Sequence, residues 1–184
     1  MRKTSLIIFT FFLINQLVGQ GDESSNKNIL RLNFINPGLE YEYSISERSK
    51  LSANIGFGVL MSYPNLTLIQ ASHAFFLSSF TDLHYKNIYN LDRREKKSKN
   101  NDFNSGDFVG LKLNSRGKNI DAKLVRTDNI DFSIGPTWGL QREFKKTNIL
   151  FNLGPVYYFD TKGNSGFYPI MIELNIGYNI ASSK

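Results

Sequence analysis

The two histidines are the residues of this chain that could support the widest range of chemistry. His73 lies in or near a predicted loop, and His84 lies on a segment of alternating polarity. Ser78, Ser79 and Asp82 come shortly before it, so a Ser–His–Asp arrangement for hydrolysis is the first hypothesis. On a strand, however, Ser79 and His84 point to opposite faces, and Ser78 would lie about 20 Å from His84. We therefore predict no catalytic site here.

No other combination of residues predicts a catalytic, metal or cofactor site. The chain has no cysteine, so disulfides, thiolate metal ligands and cysteine nucleophiles are excluded. Two isolated histidines do not give the spacing of a metal site. Glu40 and Glu42 share one face of a predicted strand, but ion pairs with Lys or Arg on neighbouring strands are favoured over an acid–base pair. We expect a non-enzymatic protein without a cofactor or metal.

A basic run at 92–99 (Asp-Arg-Arg-Glu-Lys-Lys-Ser-Lys) is the clearest candidate for contact with an anionic partner. Such a run is compatible with nucleic-acid binding, with contact to anionic lipid headgroups, or with a solvated loop. The predicted export of the chain disfavours a nucleic-acid partner. A solvated connection is favoured, and no nucleic-acid partner is predicted.

The first 19 residues have the composition of a secretory signal peptide. A charged start at 2–3 precedes an apolar core at 6–14. This core is too short to cross a bilayer of about 30 Å as a helix; a retained short anchor is the alternative. Cleavage is predicted near Gly19, and a flexible segment is predicted over 20–27.

The remainder of the chain is organised by alternating polarity, which is clearest over residues 128–160. Apolar residues from Ile130 to Leu140, and again from Ile149 to Phe159, occupy every second position. Because successive side chains of a strand point to opposite faces, this stretch predicts a hairpin with one apolar and one polar face. Pro136 and Pro155 fall in mid-strand, where they cannot donate a ladder hydrogen bond, so local bulges are expected there.

Similar alternation over residues 28–180 predicts an all-β fold of antiparallel strands. Asn36-Pro37-Gly38 reverses the alternation and is either a bulge within one strand, giving seven strands, or a turn, giving eight. Eight is favoured because single-chain bacterial barrels have even strand numbers. The predicted strands are 28–35, 38–45, 49–63, 74–90, 107–115, 128–143, 147–160 and 167–180, followed by a C-terminal tail at 181–184.

Two arrangements of these strands fit the alternation. A soluble, lipocalin-like barrel turns the apolar face inward, whereas an up-and-down transmembrane β-barrel turns it towards lipid. The apolar positions are almost free of charge. The other positions carry many Asn, Ser and Gly, with Glu40, Glu42, Lys50, Lys112, Asp131 and Glu173. Large aromatic residues gather near predicted strand ends, as in membrane girdles: Tyr43, Tyr63, Tyr89, Phe144, Tyr157, Phe159, Tyr168 and Tyr178. The sequence therefore favours the transmembrane barrel.

The eight-strand interpretation also assigns the connections to two sides of a membrane. The predicted periplasmic turns are 46–48 and 144–146, and the predicted extracellular loops are 64–73, 116–127 and 161–166. The long 91–106 segment then falls on the periplasmic side, against the rule that periplasmic turns are short.

Several short motifs carry a family resemblance. They are the signal peptide, Asn-Pro-Gly-Leu-Glu-Tyr-Glu-Tyr at 36–43, the Ile-Gly-Pro and Leu-Gly-Pro strands at 134–136 and 153–155, and Glu-Leu-Asn-Ile-Gly-Tyr at 173–178. With them the chain resembles small outer-membrane β-barrel proteins of Bacteroidetes-type bacteria over roughly residues 28–180. The resemblance implies location in the cell outer membrane, with outer-membrane lipid and the outer-membrane assembly machinery as partners.

The sequence thus predicts a non-enzymatic integral outer-membrane barrel with a structural or surface-interaction role. Eight strands enclose a lumen that side chains fill, so no solute channel is expected. The alternative is a soluble periplasmic or secreted lipocalin-like β-barrel that binds a lipophilic ligand. An outer-membrane enzyme acting on lipid is the least favoured hypothesis.

Overall fold

The computed structural model describes residues 27–61, 75–99, 101–119 and 128–183, and strands make up most of its regular structure. The alternating segments of the sequence form eight strands. They are β1 (Asn28–Asn33), β2 (Gly38–Ser44), β3 (Ser49–Met61), β4 (Phe75–Ile88), β5 (Gly106–Asn119), β6 (Asp131–Phe144), β7 (Thr147–Asp160) and β8 (Ser165–Ser183).

The eight strands form one closed antiparallel sheet. Each strand pairs with the next along the chain, and β8 pairs back with β1, so the sheet is a closed barrel. The predicted all-β fold with eight antiparallel strands is confirmed. Residues 34–37 form a turn, and pairing resumes from Asn33 opposite Gly38. The seven-strand alternative is wrong because the chain reverses direction at this turn.

Two predicted boundaries are corrected at strand ends. The predicted loop 116–127 begins too early, because β5 continues to Asn119 and its Arg116 pairs with Asp131 of β6. The predicted tail 181–184 is in large part strand, because Ala181 to Ser183 pair with the start of β1. Pairing with a neighbour extends a strand beyond the point where its own alternation stops.

A β-bulge in β8 changes which way its first residues point. The register against β7 shifts between Gly154 and Val156, which pair with Met171 and Tyr168 respectively. An extra residue in one strand reverses the facing of the residues beyond it. Tyr168 therefore packs on the lumenal side against Val156, and its predicted place in the outer apolar row is wrong.

The mid-strand prolines are accommodated in two ways. Pro155 lies at the β7–β8 register shift, so the expected bulge is confirmed there. Pro136 keeps its register with β5, opposite Leu111, so the expected bulge is wrong at this proline. The ladder between β6 and β7 instead lacks pairs over residues 135–137. Pro136 has no backbone N–H, and at this gap none is needed for a hydrogen bond to β7.

The connection between β4 and β5 folds against one end of the barrel. It contains a five-residue helix, α1 (Leu91–Glu95), and a 3₁₀ turn (Asp102–Asn104), which together we call the end cap. The sequence predicted a solvated connection here, which is wrong for Arg94, Asn104 and Ser105 because all three are buried. Phe103 and Asn104 adopt positive φ, which turns the chain sharply back towards β5.

We call this end of the barrel the cap end and the end that carries the 161–164 turn the far end. No helix among the described residues is long and apolar enough to cross a membrane. The predicted signal peptide 1–19, nearly all of the 20–27 segment, loop 64–73, His73 and Tyr63 lie outside the described residues.

Candidate functional site

The outer face of the barrel is apolar along its whole circumference. The outward positions of all eight strands carry large hydrophobic side chains that remain exposed. Those with at least 45% of their surface exposed within the strands are Leu39, Tyr43, Ile55, Phe57, Leu83, Val109, Leu111, Phe144, Tyr157, Phe167, Ile170, Ile172, Leu174 and Ile180. Soluble monomers rarely expose contiguous apolar patches of more than a few hundred Å².

The inward face is polar and charged. All six charged residues that the sequence placed opposite the apolar row point into the barrel (Glu40, Glu42, Lys50, Lys112, Asp131 and Glu173). They are joined by further buried residues that the strands bring to the same face: Arg31, Asp82, His84, Lys86, Arg116, Gln141, Glu143, Asn148, Asn152, Asn175 and Asn179. The interior is thus a set of ion pairs and amides.

The network nearest the cap end is centred on Arg31. Its guanidinium lies 3.2 Å from Glu40 and 3.3 Å from Glu143, which approach it from β2 and β6. Lys86 of β4 forms an ion pair with Glu42 and donates a 2.8 Å hydrogen bond to the side-chain oxygen of Gln141. Because buried charges are costly unless paired and hydrogen-bonded, these contacts stabilise one arrangement of side chains across the lumen.

The end cap is bonded to this network. Asn104 donates to Glu42 Oε1 at 2.7 Å and to the backbone carbonyl of Lys27 at 3.0 Å. Leu91 of α1 packs into a buried apolar cluster with Ile88, Phe108 and Leu150. We call these four residues the cap-end cluster. Packed apolar side chains therefore lie between α1 and the strands at this end of the barrel.

A second ion-pair group lies nearer the far end. Lys112 of β5 lies 3.1 Å from Asp82 and also contacts Glu173 of β8. Asn152 donates a 2.8 Å hydrogen bond to the same Glu173 carboxylate. These groups connect β4, β5, β7 and β8 across the lumen.

Between this second group and the far end, the lumen contains apolar as well as charged side chains. Arg116 forms an ion pair with Asp131, and its guanidinium carbon lies 5.6 Å from the centre of the Tyr158 ring. Val156 and Tyr158 form a small buried cluster, with Tyr168 and Met171 packed against it. We call these four residues the far-end cluster. Apolar side chains thus line part of the wall at this level, on β7 and β8.

Ser78 and His84 do not have the geometry that the serine–histidine hypothesis requires. His84 is buried, and its Nε2 lies 2.9 Å from Thr137 Oγ1 while its ring packs edge-on against Phe108 at 5.4 Å. Ser78 shares the inward face, as its parity predicts, but its hydroxyl donates to the carbonyl of Gly117 at 2.7 Å. The structure therefore does not bring these two residues together as a nucleophile and base.

No cluster of three or more His, Asp or Glu side chains that could hold a metal ion occurs among the described residues. The expected absence of metal and cofactor sites stays a prediction.

Outside the strands, Asp128 accepts hydrogen bonds from the side chain and the backbone N–H of Thr161, the latter at 2.9 Å. The bond from the Thr161 side chain holds the pKa of Asp128 below its ordinary value and joins the β6 approach to the β7–β8 turn.

Some lumenal residues were not found from the sequence. Lys86 and Phe80 lie on β4, whose alternation is irregular, and Arg116 lies in the stretch predicted as a loop. Phe80 and Ile88, which break the apolar parity of β4, both point inward and are buried. The irregular alternation of β4 is therefore the feature of the sequence that could have indicated apolar side chains inside the barrel.

No protein-family model, curated protein or solved structure matches the chain.

Proposed function

We propose that this chain is a non-enzymatic integral β-barrel of the outer membrane, with a structural or surface-interaction role and no solute channel. One observation carries the proposal: the apolar residues face outward all round the sheet, and the charged residues face inward. This inversion is the pattern expected where lipid surrounds a barrel. In the closed sheet each strand also pairs with a neighbouring strand on both sides, as expected of a barrel that spans a bilayer.

The soluble alternative requires the opposite distribution. A lipocalin-like barrel needs an apolar interior for its ligand, whereas here Arg31, Lys86, Glu42 and Glu143 occupy the lumen near the cap end. A soluble protein would also expose the large side chains of all eight outer rows to water. Both features favour the membrane setting over the soluble one.

The filled lumen supports a role without transport. The largest fully buried side chains include Arg31, Lys86 and Gln141, and Arg31 and Lys86 contact β6 across the interior. Eight strands enclose a space that such side chains fill. Interaction with other molecules would then use the outer face and the far-end connections, of which the 34–37 and 161–164 turns are described.

Outer-membrane lipid and the outer-membrane assembly machinery are the partners that this proposal implies. The predicted signal peptide at 1–19 and the resemblance to small Bacteroidetes-type outer-membrane barrels favour the same location. In that location the end cap would face the periplasm, since it lies at the end that holds both the start of β1 and the end of β8.

A depth series of arginine substitutions tests the membrane setting. Leu111→Arg, near the middle of the outer row of β5, should destabilise the folded protein by about 2–4 kcal/mol in a bilayer, whereas Tyr43→Arg, near the cap end of β2, should cost about 0–1 kcal/mol. Stability is measured by urea unfolding in vesicles, with gel mobility before and after boiling as the readout of folding.

Cell fractionation accompanies this series. Recovery of the unmodified chain in the detergent-soluble membrane fraction is expected. Recovery in the soluble periplasm without detergent, or equal and small costs at both positions as on a water-exposed surface, would overturn the proposal.

A further inference from the structure

Each of the three described connections at the cap end carries exposed basic side chains. Arg48 lies in the β2–β3 turn, and Lys145 and Lys146 form the β6–β7 turn. The 89–105 connection between β4 and β5 contributes four more: Arg93, Lys96, Lys97 and Lys99. The basic groups are thus distributed around the rim of the barrel and do not form a single patch. We call these seven residues the cap-end basic ring.

Acidic side chains in the same connections are fewer. Those that are described as exposed there are Glu47, Asp92 and Glu95. Asp92 forms an ion pair with Arg48 at 2.7 Å, in which both side chains are at least half exposed. Among the exposed charged groups described at this rim, seven basic ones therefore face three acidic ones. The rim carries a positive field that would attract anionic groups from its surroundings.

An aromatic belt lies on the outer face beside the ring. Its members are 40–62% exposed and belong to β2, β4, β6, β8 and the residue that follows β4: Tyr43, Tyr85, Tyr89, Trp138, Phe144 and Tyr178. Trp138 donates from its indole nitrogen to the Tyr89 hydroxyl at 2.9 Å, and the Tyr85 hydroxyl lies 3.1 Å from that of Ser49. Tryptophan and tyrosine with an apolar ring and a bonded polar tip are typical of the headgroup level of a membrane.

The outward rows of the strands change from apolar to charged at this level. Asp107 and Arg142 lie on the outer rows of β5 and β6 and form an ion pair with each other. The next outward residues towards the far end are Val109 and Leu140, which are apolar. The boundary between the apolar wall and its charged rim therefore lies at the belt, and the ring begins beyond it.

We propose that the cap-end basic ring binds the headgroups of anionic phospholipids in the periplasmic leaflet. The inference rests on the proposed membrane function, which places the cap end at that leaflet. Headgroups surround a barrel just beyond its aromatic belt, and the ring side chains lie around the rim at that level. Lysine and arginine side chains are long enough to keep their charge among the headgroups. Each such side chain near an anionic membrane surface strengthens the attraction by roughly fivefold.

Quenching of the native tryptophan measures this lipid preference. Trp138 is the sole tryptophan, is exposed on the outer face and belongs to the belt. The protein is refolded into vesicles of brominated phosphatidylcholine mixed with unbrominated phosphatidylglycerol, or with unbrominated phosphatidylcholine as the reference. Unbrominated lipid that displaces the brominated lipid beside Trp138 restores its emission. This recovery gives the binding constant of phosphatidylglycerol relative to phosphatidylcholine near the cap end.

The expected result is a preference that depends on charge. Phosphatidylglycerol, which is anionic, should bind severalfold more tightly than zwitterionic phosphatidylcholine at low salt. The difference should disappear near 1 M salt, where charges are screened beyond about 3 Å.

Two double variants test whether the charges of the connections determine the preference. Lys96→Gln with Lys146→Gln removes two members of the ring and should lower the relative binding constant severalfold. Glu47→Gln with Glu95→Gln removes two acidic groups from the same end and should raise it. All four side chains are exposed, so both variants are expected to fold. Gel mobility before and after boiling checks this.

The outcomes separate this inference from the proposed function. No quenching of Trp138 by brominated lipid overturns both. Quenching with equal affinity for the two lipids overturns the anionic preference and leaves the membrane proposal standing. A shift in the same direction for the basic and the acidic variants would show a cause other than charge and also overturns it. If lipid preference is absent but sedimentation with purified peptidoglycan depends on Lys96 and Lys146, the ring binds the cell-wall polymer and the inference is wrong.

Discussion

At the scale of single residues, Arg31 is the contact that joins the most distant parts of the chain. It contacts Glu40, which is paired directly with it on β2, Glu143 on β6, and the side-chain oxygen of Asn179 at 3.0 Å on β8. Gly177 supports this geometry, because a Cβ at that position would overlap the Arg31 side chain. One guanidinium thus compensates two buried carboxylates, of which Glu40 also has Lys86 at 4.0 Å.

Arg31→Ala should destabilise the protein by about 3–5 kcal/mol, because it leaves Glu40 and Glu143 buried without this partner. The matched control is Arg48→Ala, which removes an ion pair with Asp92 that is largely exposed and should cost about 0–1 kcal/mol. Urea unfolding of the refolded proteins measures both. Similar costs for the two substitutions would show that the lumenal network does not stabilise the barrel.

The alternation of polar and apolar residues in the sequence identified some members of this network. It did not identify the others, and the reason is physical. Glu40 and Glu42 lie in a strand with clean alternation, so their shared inward face was predictable. Glu143 lies at the end of β6 and Lys86 in the irregular β4, where apolar residues also point inward. Which cation meets which carboxylate depends on the barrel bringing distant strands together, and alternation along one strand does not contain that information.

At the scale of elements, β6 and β7 interlock through two Gly-Pro pairs. A Cβ at Gly135 would overlap the carbonyl of Pro155, and a Cβ at Gly154 would overlap the carbonyl of Pro136. Each glycine therefore admits the backbone of the opposite strand at the place where the ladder lacks regular pairs. The sequence showed both Gly-Pro pairs, but not that they lie opposite each other.

Gly154→Ala should destabilise the barrel by about 1–3 kcal/mol, because β6 and β7 must move apart to admit the methyl group. The control is Gly163→Ala in the β7–β8 turn, where φ is +90° and no atom lies within 4 Å of the added Cβ. Its strain is confined to the turn.

Amide hydrogen exchange distinguishes these two substitutions. Faster exchange at Ile134 and Tyr157, which are paired beside the interlock, is expected for Gly154→Ala and not for Gly163→Ala. Unchanged exchange at these two residues in the Gly154 variant would contradict the interlock as a source of stability.

At the scale of the whole molecule, the number of strands and the two faces of the sheet follow from the periodicity of the sequence. The way the sheet closes and the way side chains pack in its lumen do not. Long alternating segments separated by turn residues determine which side chains share a face. The short β1–β2 hairpin, the bulge that turns Tyr168 inward and the end cap arise from contacts between segments far apart in the chain. These are the features that make the two ends of the lumen different: an ion-pair network beneath the end cap at one, and a partly apolar wall at the other.

The cap-end cluster and the network around Arg31 should together prevent passage of solutes. In planar bilayers the unmodified protein should give conductance indistinguishable from that of a protein-free membrane, because side chains fill an eight-stranded lumen. The paired change Phe108→Ala with Leu150→Ala removes two members of the cap-end cluster and should raise small-ion leak. Leu111→Ala, which shortens an outward side chain on the same strand as Phe108, should leave conductance at the background level. Stepwise conductance from the unmodified protein would mean that the lumen opens as a channel, and equal leak from the inner and outer variants would place the ion path outside the lumen.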